Sequence, residues 1–217
     1  MRAARLAALG ALAAAAAAGA AQFLVGDPMF LVETPFYGRE GVDALRQQQL
    51  ILATDLMAAG TITRWEWRAA TPAAPGRFYR CRLLLCHVTR TALGATFAAN
   101  YDGRTPTQVF YADPALVAMY PNTWFGVDLA PTFEYNGVDN LLLEVWWEGD
   151  DGAGGKAWAT NVTGQERDVA ARVVNGVPDG GYPDTGRVTA RLGYMRLTIT
   201  GAAVEATSLG RVKALFR

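Results

Sequence analysis

An all-β fold, an antiparallel β-sandwich of jelly-roll-like type, is predicted by three features of this 217-residue sequence. Aromatic and β-branched residues recur in short runs, and such residues suit a pleated, half-buried surface. Turn formers are frequent, with 23 glycines and 10 prolines, and they punctuate the chain at roughly 8- to 15-residue intervals, as between successive short strands. No helical segments alternate with these runs, so parallel βαβ units are not expected. With no internal repeat, linker or break in composition, residues 22–217 read as one domain, long enough to bury a core without staples.

Residues 1–21 are set apart. Arg2 and Arg5 open an alanine-dominated apolar run that ends in the small residues Ala18-Gly19-Ala20-Ala21, the pattern of a cleavable signal peptide. The run is too short and too rich in alanine to span hydrocarbon, so no transmembrane anchor is expected after cleavage. The expected location is extracellular or at the cell surface, with the periplasm as the other exported compartment. Lys+Arg and Asp+Glu number 20 each, and loss of Arg2 and Arg5 leaves the domain mildly acidic. A nucleic-acid partner is not expected, because phosphate recognition needs a basic excess.

Along the domain, residues 22–41 read as a strand and a loop broken by Pro28, Pro35 and Gly38. Residues 46–53 read as a strand followed by a helical turn, closed by Gly60. Residues 61–68 alternate, with Thr61, Thr63, Trp65 and Trp67 on one side and Ile62, Arg64, Glu66 and Arg68 on a side expected to face water. Residues 78–89 are apolar on both faces, as in a central strand. They hold both cysteines, Cys81 and Cys86, which point to opposite faces about 16 Å apart and so read as buried thiols rather than a disulfide. The single histidine, His87, sits in the same strand and reads as a satisfied structural residue. Weaker strand character at 96–101 precedes the Asp102-Gly103 turn, and a further strand at 107–111 precedes Asp113-Pro114. Residues 149–156 read as a glycine-rich hairpin tip before a strand at 157–162. A glycine- and proline-rich loop covers 177–186, one or two strands lie in 187–200, and a closing strand occupies 210–217.

The most informative stretch is residues 124–149. Leu141, Leu143, Val145 and Trp147 alternate with Glu144, Trp146 and Glu148, a half-buried strand. Before it, Pro131 is expected to end a strand by withholding its N–H, Asn136-Gly137 to turn the chain, and Asn140 to bind turn backbone. Trp124, Phe133 and Tyr135 are expected to fill the core beside that turn. Trp124, Leu129, Pro131, Phe133, Tyr135, Gly137, Asn140 and Leu141 match in order, with one extra residue between Pro131 and Phe133, a W-x-x-φ-x-L-x-x-P-F-x-W/Y-x-G-x-x-N-L pattern. That pattern resembles exported bacterial β-sandwich surface modules, including cargo of type IX secretion. Arg46-Gln47-Gln48 and Gly60-Thr61-Ile62 are similar to its second part. The resemblance implies a non-catalytic surface module with a structural, adhesive or self-assembling role, whose partners are other surface proteins or copies of itself. The last residues, Leu215-Phe216-Arg217, do not resemble the sorting domain of the type IX route, so ordinary signal-peptide export is expected.

Two other functions fit the residues. In a carbohydrate-binding module, Trp146 flanked by Glu144 and Glu148 would stack on a sugar ring, with Trp65 and Trp67 as a second platform if their face is not the core. A glycoside hydrolase needs two converging carboxylates, and Glu144 and Glu148 lie about 13 Å apart along one strand, so an enzyme is not expected. No nucleophile elbow, P-loop or zinc-protease motif is present. No cofactor is expected apart from calcium on acidic loops, for which Asp150 with Asp151 and Asp179 with Asp184 are the oxygen-ligand candidates.

Overall fold

The structure is a computed structural model and describes residues 19–32, 35–36, 42–151, 154–161, 166–174 and 184–204. In chain order the strands are β1 (Ala21–Val25), β2 (Phe30–Val32), β3 (Val42–Ile51), β4 (Ala58–Ala74), β5 (Gly76–Phe78), β6 (Cys81–Val88), β7 (Thr107–Ala112), β8 (Ala115–Val117), β9 (Trp124–Tyr135), β10 (Asn140–Glu148), β11 (Gly154–Asn161), β12 (Asp168–Val174), β13 (Arg187–Thr189), β14 (Arg191–Gly193) and β15 (Met195–Val204). A single turn of helix, α1 (Ala53–Leu56), follows β3. A 3-10 turn covers Ala98–Tyr101.

Every pairing between these strands is antiparallel. The first sheet runs β1-β15-β4-β11-β14, with β9 also on β4 and β2 also on β11; the second runs β13-β12-β3-β10-β6-β7; and β5 pairs with β8 as a separate two-stranded sheet. The two sheets close on a common interior, giving the sandwich that the alternation and turn spacing predict. The first sheet sends in Ile62, Trp65, Trp67, Phe125, Leu197 and Ile199, and the second sends in Leu45, Leu83, Leu85, Leu141, Leu143 and Trp147. Aromatic rings concentrate at one end. Phe36 meets Trp67 edge-on at 5.3 Å, Phe78 meets Trp147 at 5.1 Å, and Trp147 Nε1 donates to the Pro35 carbonyl at 2.8 Å.

The long strand β4 shows why strict alternation misleads. Ile62 and Arg64 pair with the adjacent residues Ile199 and Thr198 of β15, so β4 carries one extra residue there, and such a bulge turns the strand by one residue; on its other side β9 jumps from Phe133 to Asp128. Ile62 therefore shares the core with Trp65 and Trp67, and Thr63 does not. Pro131 sits inside β9 at this irregularity rather than at a strand end, a position a proline tolerates because among the described strands β9 is bonded on one side only. Glu66, expected in water, is only 4% exposed. Arg196 grips it with Nε and Nη2 at 2.7 and 2.9 Å, and Arg64 adds a contact at 3.2 Å. Burial pushes the Glu66 carboxyl up, but these arginines outweigh it and hold it below the usual carboxylate range.

Several other elements differ from expectation. Residues 149–156 do not join a hairpin, because β10 and β11 belong to different sheets. Residues 96–101 form an isolated bridge and the 3-10 turn rather than a strand. Residues 187–200 form parts of three strands, and β12 has no counterpart in the sequence reading. Most of 1–21 and 177–186, and all of 210–217, lie outside the described residues. Cys81 and Cys86 are both free and buried on opposite faces, and burial alone pushes the Cys81 thiol up to about 12.

Candidate functional site

The motif around Asn140 is a structural lock. Asn136 Oδ1 accepts from the amides of Val138 and Asp139 at 2.9 and 3.0 Å, closing the turn, and Gly137 adopts φ +72°. Asn140 reaches two other loops, accepting from the Ala53 amide and donating to the Arg90 carbonyl, both at 2.8 Å. Phe133 and Tyr135 are buried as expected. Trp124 instead lies half-buried outside the sandwich, 5.0 Å from the Tyr194 ring with the Arg196 guanidinium 4.7 Å above it, because its neighbour Phe125 takes the inward position. His87 is half-buried, its Nε2 accepts from the Asn136 amide at 3.3 Å, and burial lowers its pKa.

The residues suggested for stacking on sugar do not form an open platform. Trp65 and Trp67 are fully buried in the core. Trp146, Glu144 and Glu148 do share the outward face of β10, but the strand neighbours Arg46 and Arg82 place their guanidiniums 5.0 and 3.6 Å from the Trp146 ring centre. They occupy the place where a sugar would stack. Glu144 is 1% exposed, bonded to Gln48 Nε2 at 2.7 Å and to Arg46, and Glu148 pairs with Arg80. This is a buried network under the loop that carries Phe97 and Asn100, where Asn100 Nδ2 donates to Gln48 Oε1 at 2.9 Å. Of the calcium candidates, Asp150 is half-buried, Asp151 and Asp184 are exposed, and Asp179 lies outside the described residues. Among the described residues no three His, Cys, Asp or Glu side chains are grouped to share a metal ion.

The polar site that the structure does assemble lies between the sheets. Cross-strand register places Leu143, Gln49, Asp168 and Thr189 in one row from the centre of the second sheet to its edge. Val145, Gln47, Ala170 and Arg187 form the next row. Each row starts in the core and turns polar on β3. The opposite sheet answers with Ala159 and Gly193, whose small size cannot fill the gap. A cavity of about 470 Å³ results, lined also by Leu31, Val32, Lys156 and Arg191.

Asp168 is the centre of this site. It is 6% exposed, with Gln47 Nε2 donating to one carboxylate oxygen and Thr189 Oγ1 to the other at 3.1 Å. Burial drives its pKa up to about 6, against the opposing pull of Gln47, Thr189, Gln49 and the Arg191 charge. Among the described residues, Gln49 Oε1 is buried with no hydrogen-bond donor facing it, although a buried acceptor left unmet costs about 1 to 3 kcal/mol. The arrangement can accept and donate hydrogen bonds to a small polar molecule while Leu31 and Val32 cover its apolar edges.

In the sequence this site is faint, because Gln47-Gln48-Gln49 has no motif of its own and Asp168 lies in a run of small apolar residues. Two signals mark it: an amide at every inward position in the middle of β3, and a lone acid opening DVAARVV at an inward position. Compared with known proteins, the chain matches no protein-family model and no curated protein.

Proposed function

We propose that this chain is an exported, non-catalytic β-sandwich binding module of the cell surface that holds a small polyhydroxylated ligand, a saccharide, between its two sheets. The observation that carries the reading is the row Gln49–Asp168–Thr189 facing Ala159 and Gly193 across a cavity. Amides, a carboxylate and a hydroxyl held by strands offer alternating donors and acceptors, which is what sugar hydroxyls require, and the unmet Gln49 Oε1 awaits a donor. Binding is favoured over hydrolysis because the described cavity lining holds one carboxylate, and two-carboxylate chemistry needs a pair about 5 to 10 Å apart. The adhesive role fits a module that carries such a ligand at the surface.

Isothermal titration of the purified chain with a panel of soluble mono- and disaccharides tests the proposal. Saturable binding is expected, lost in Ala159→Leu, which fills the cavity, weakened in Gln49→Leu, and unchanged in Trp146→Ala. Absence of binding across the panel, or binding that survives Ala159→Leu, would overturn it.

A further inference from the structure

Among the described lining residues Lys156, Arg187 and Arg191 are cationic, and Asp168 is the single acid. Lys156 comes from β11, whereas Arg187 and Arg191 come from β13 and β14, the edge strands of the two sheets, which follow one another in the chain. Arg187 lies two residues before Thr189, on the same face of β13. Arg191 is close enough to Asp168 for its charge to favour the ionised carboxyl. Arg187 and Arg191 line the cavity and are exposed, so an entering ligand meets both, and guanidinium is the group that best matches a planar carboxylate, through two parallel N–H donors.

Resting on the saccharide reading above, the geometry points to an acidic sugar as the ligand, its hydroxyls on Gln49, Asp168 and Thr189 and its carboxylate against Arg187 and Arg191. The hydroxyls suit the amides and the unmet Gln49 acceptor; the carboxylate suits the two guanidiniums that line the same cavity. Lys156 and Arg191 also have other partners in the fold, and the assignment uses their charge and position only.

The test compares D-glucuronate, D-glucose and inorganic sulfate by isothermal titration on the whole chain at pH 7. Glucuronate is expected to bind at least 10-fold more tightly than glucose, to weaken several-fold between 20 and 200 mM sodium chloride, and to fall to within about threefold of glucose in the Arg187→Gln/Arg191→Gln variant. Circular dichroism of that variant establishes that it is folded, and the salt dependence of the unaltered chain gives a second reading that needs no variant. Glucose binding as tightly as glucuronate would overturn the acidic-sugar assignment and leave the saccharide reading standing. Sulfate binding as tightly as glucuronate would reduce the site to a bare anion site and overturn it as well. Failure of both sugars would overturn both proposals.

Discussion

Gly193 faces Gln49 across the gap between the two sheets so closely that a Cβ on residue 193 would stand 2.9 Å from Gln49 Oε1. The atom in the way is the end of a flexible side chain, so the backbone need not move. Gly193→Ala is therefore expected to leave the fold intact, to lower stability by about 1 kcal/mol as overpacking does, and to displace the Gln49 amide. Thermal melts and sugar titration of this variant together check the point, because a variant that melts lower but binds unchanged would show that Gln49 does not contact the ligand.

Asp168 gives the interior a pH dependence. Its folded pKa, about 6, lies above the ordinary 3.8, so between those values the folded chain keeps a proton that the unfolded chain has lost. Stability from this group is full below about pH 4 and falls as pH climbs through about 6. The loss is on the order of 3 kcal/mol, at about 1.4 kcal/mol per pKa unit. Urea unfolding at pH 4.5 and 7.5 should show the unaltered chain losing stability relative to Asp168→Asn. The difference between the two proteins isolates Asp168 from Glu66 and Asp102, whose pKa values are lowered. A difference independent of pH would contradict the raised pKa.

Gly126 of β9 lies opposite Glu66 of β4 in close contact with its backbone. A Cβ there would come within 2.0 Å of the Trp65 carbonyl oxygen and 2.6 Å of the Glu66 Cα, both backbone atoms that cannot step aside. Gly126→Ala is expected to cost about 3 kcal/mol, at the upper end of overpacking penalties, read as a drop in the urea midpoint. An unchanged midpoint would mean that β9 can slide off β4 freely.

Asn140 ties α1 and the loop after β6 to the start of β10 through its two 2.8 Å bonds. Asn140→Ala should cost about 2 kcal/mol, since each backbone partner loses a bond of about 1 kcal/mol. Sugar binding should persist, because Asn140 lies outside the cavity lining. Loss of binding in a protein that melts normally would place the motif in the site instead of the scaffold.

How far the sequence carries the argument varies from residue to residue. The alternation of Leu141, Leu143, Val145 and Trp147 is legible because β10 is regular and flanked on both sides, so local pattern and tertiary position agree. In β4 the agreement breaks at Ile62–Arg64, since one extra residue in a strand reverses inside and outside beyond it, and no local pattern marks that residue. Trp146 faces outward as its position implies. Its covering arginines, Arg46 and Arg82, become neighbours only through register with β3 and β6. The polar cavity was the least legible part. Gln49, Asp168 and Thr189 are adjacent across strands but distant in sequence, and each alone looks like an ordinary polar residue.

The antiparallel pairing of β1 with β15 sets Ala21 opposite Ile199, while β15 continues to Val204. Tension applied to the leading end of β1 and the trailing end of β15 therefore pulls from one end of the ladder. The bonds from Ala21 to Val25 would open singly, like a zipper, and not shear together. Loaded through these two strands, the domain would yield at low force by peeling β1, with the cavity on β3, β11 and β12 left in place.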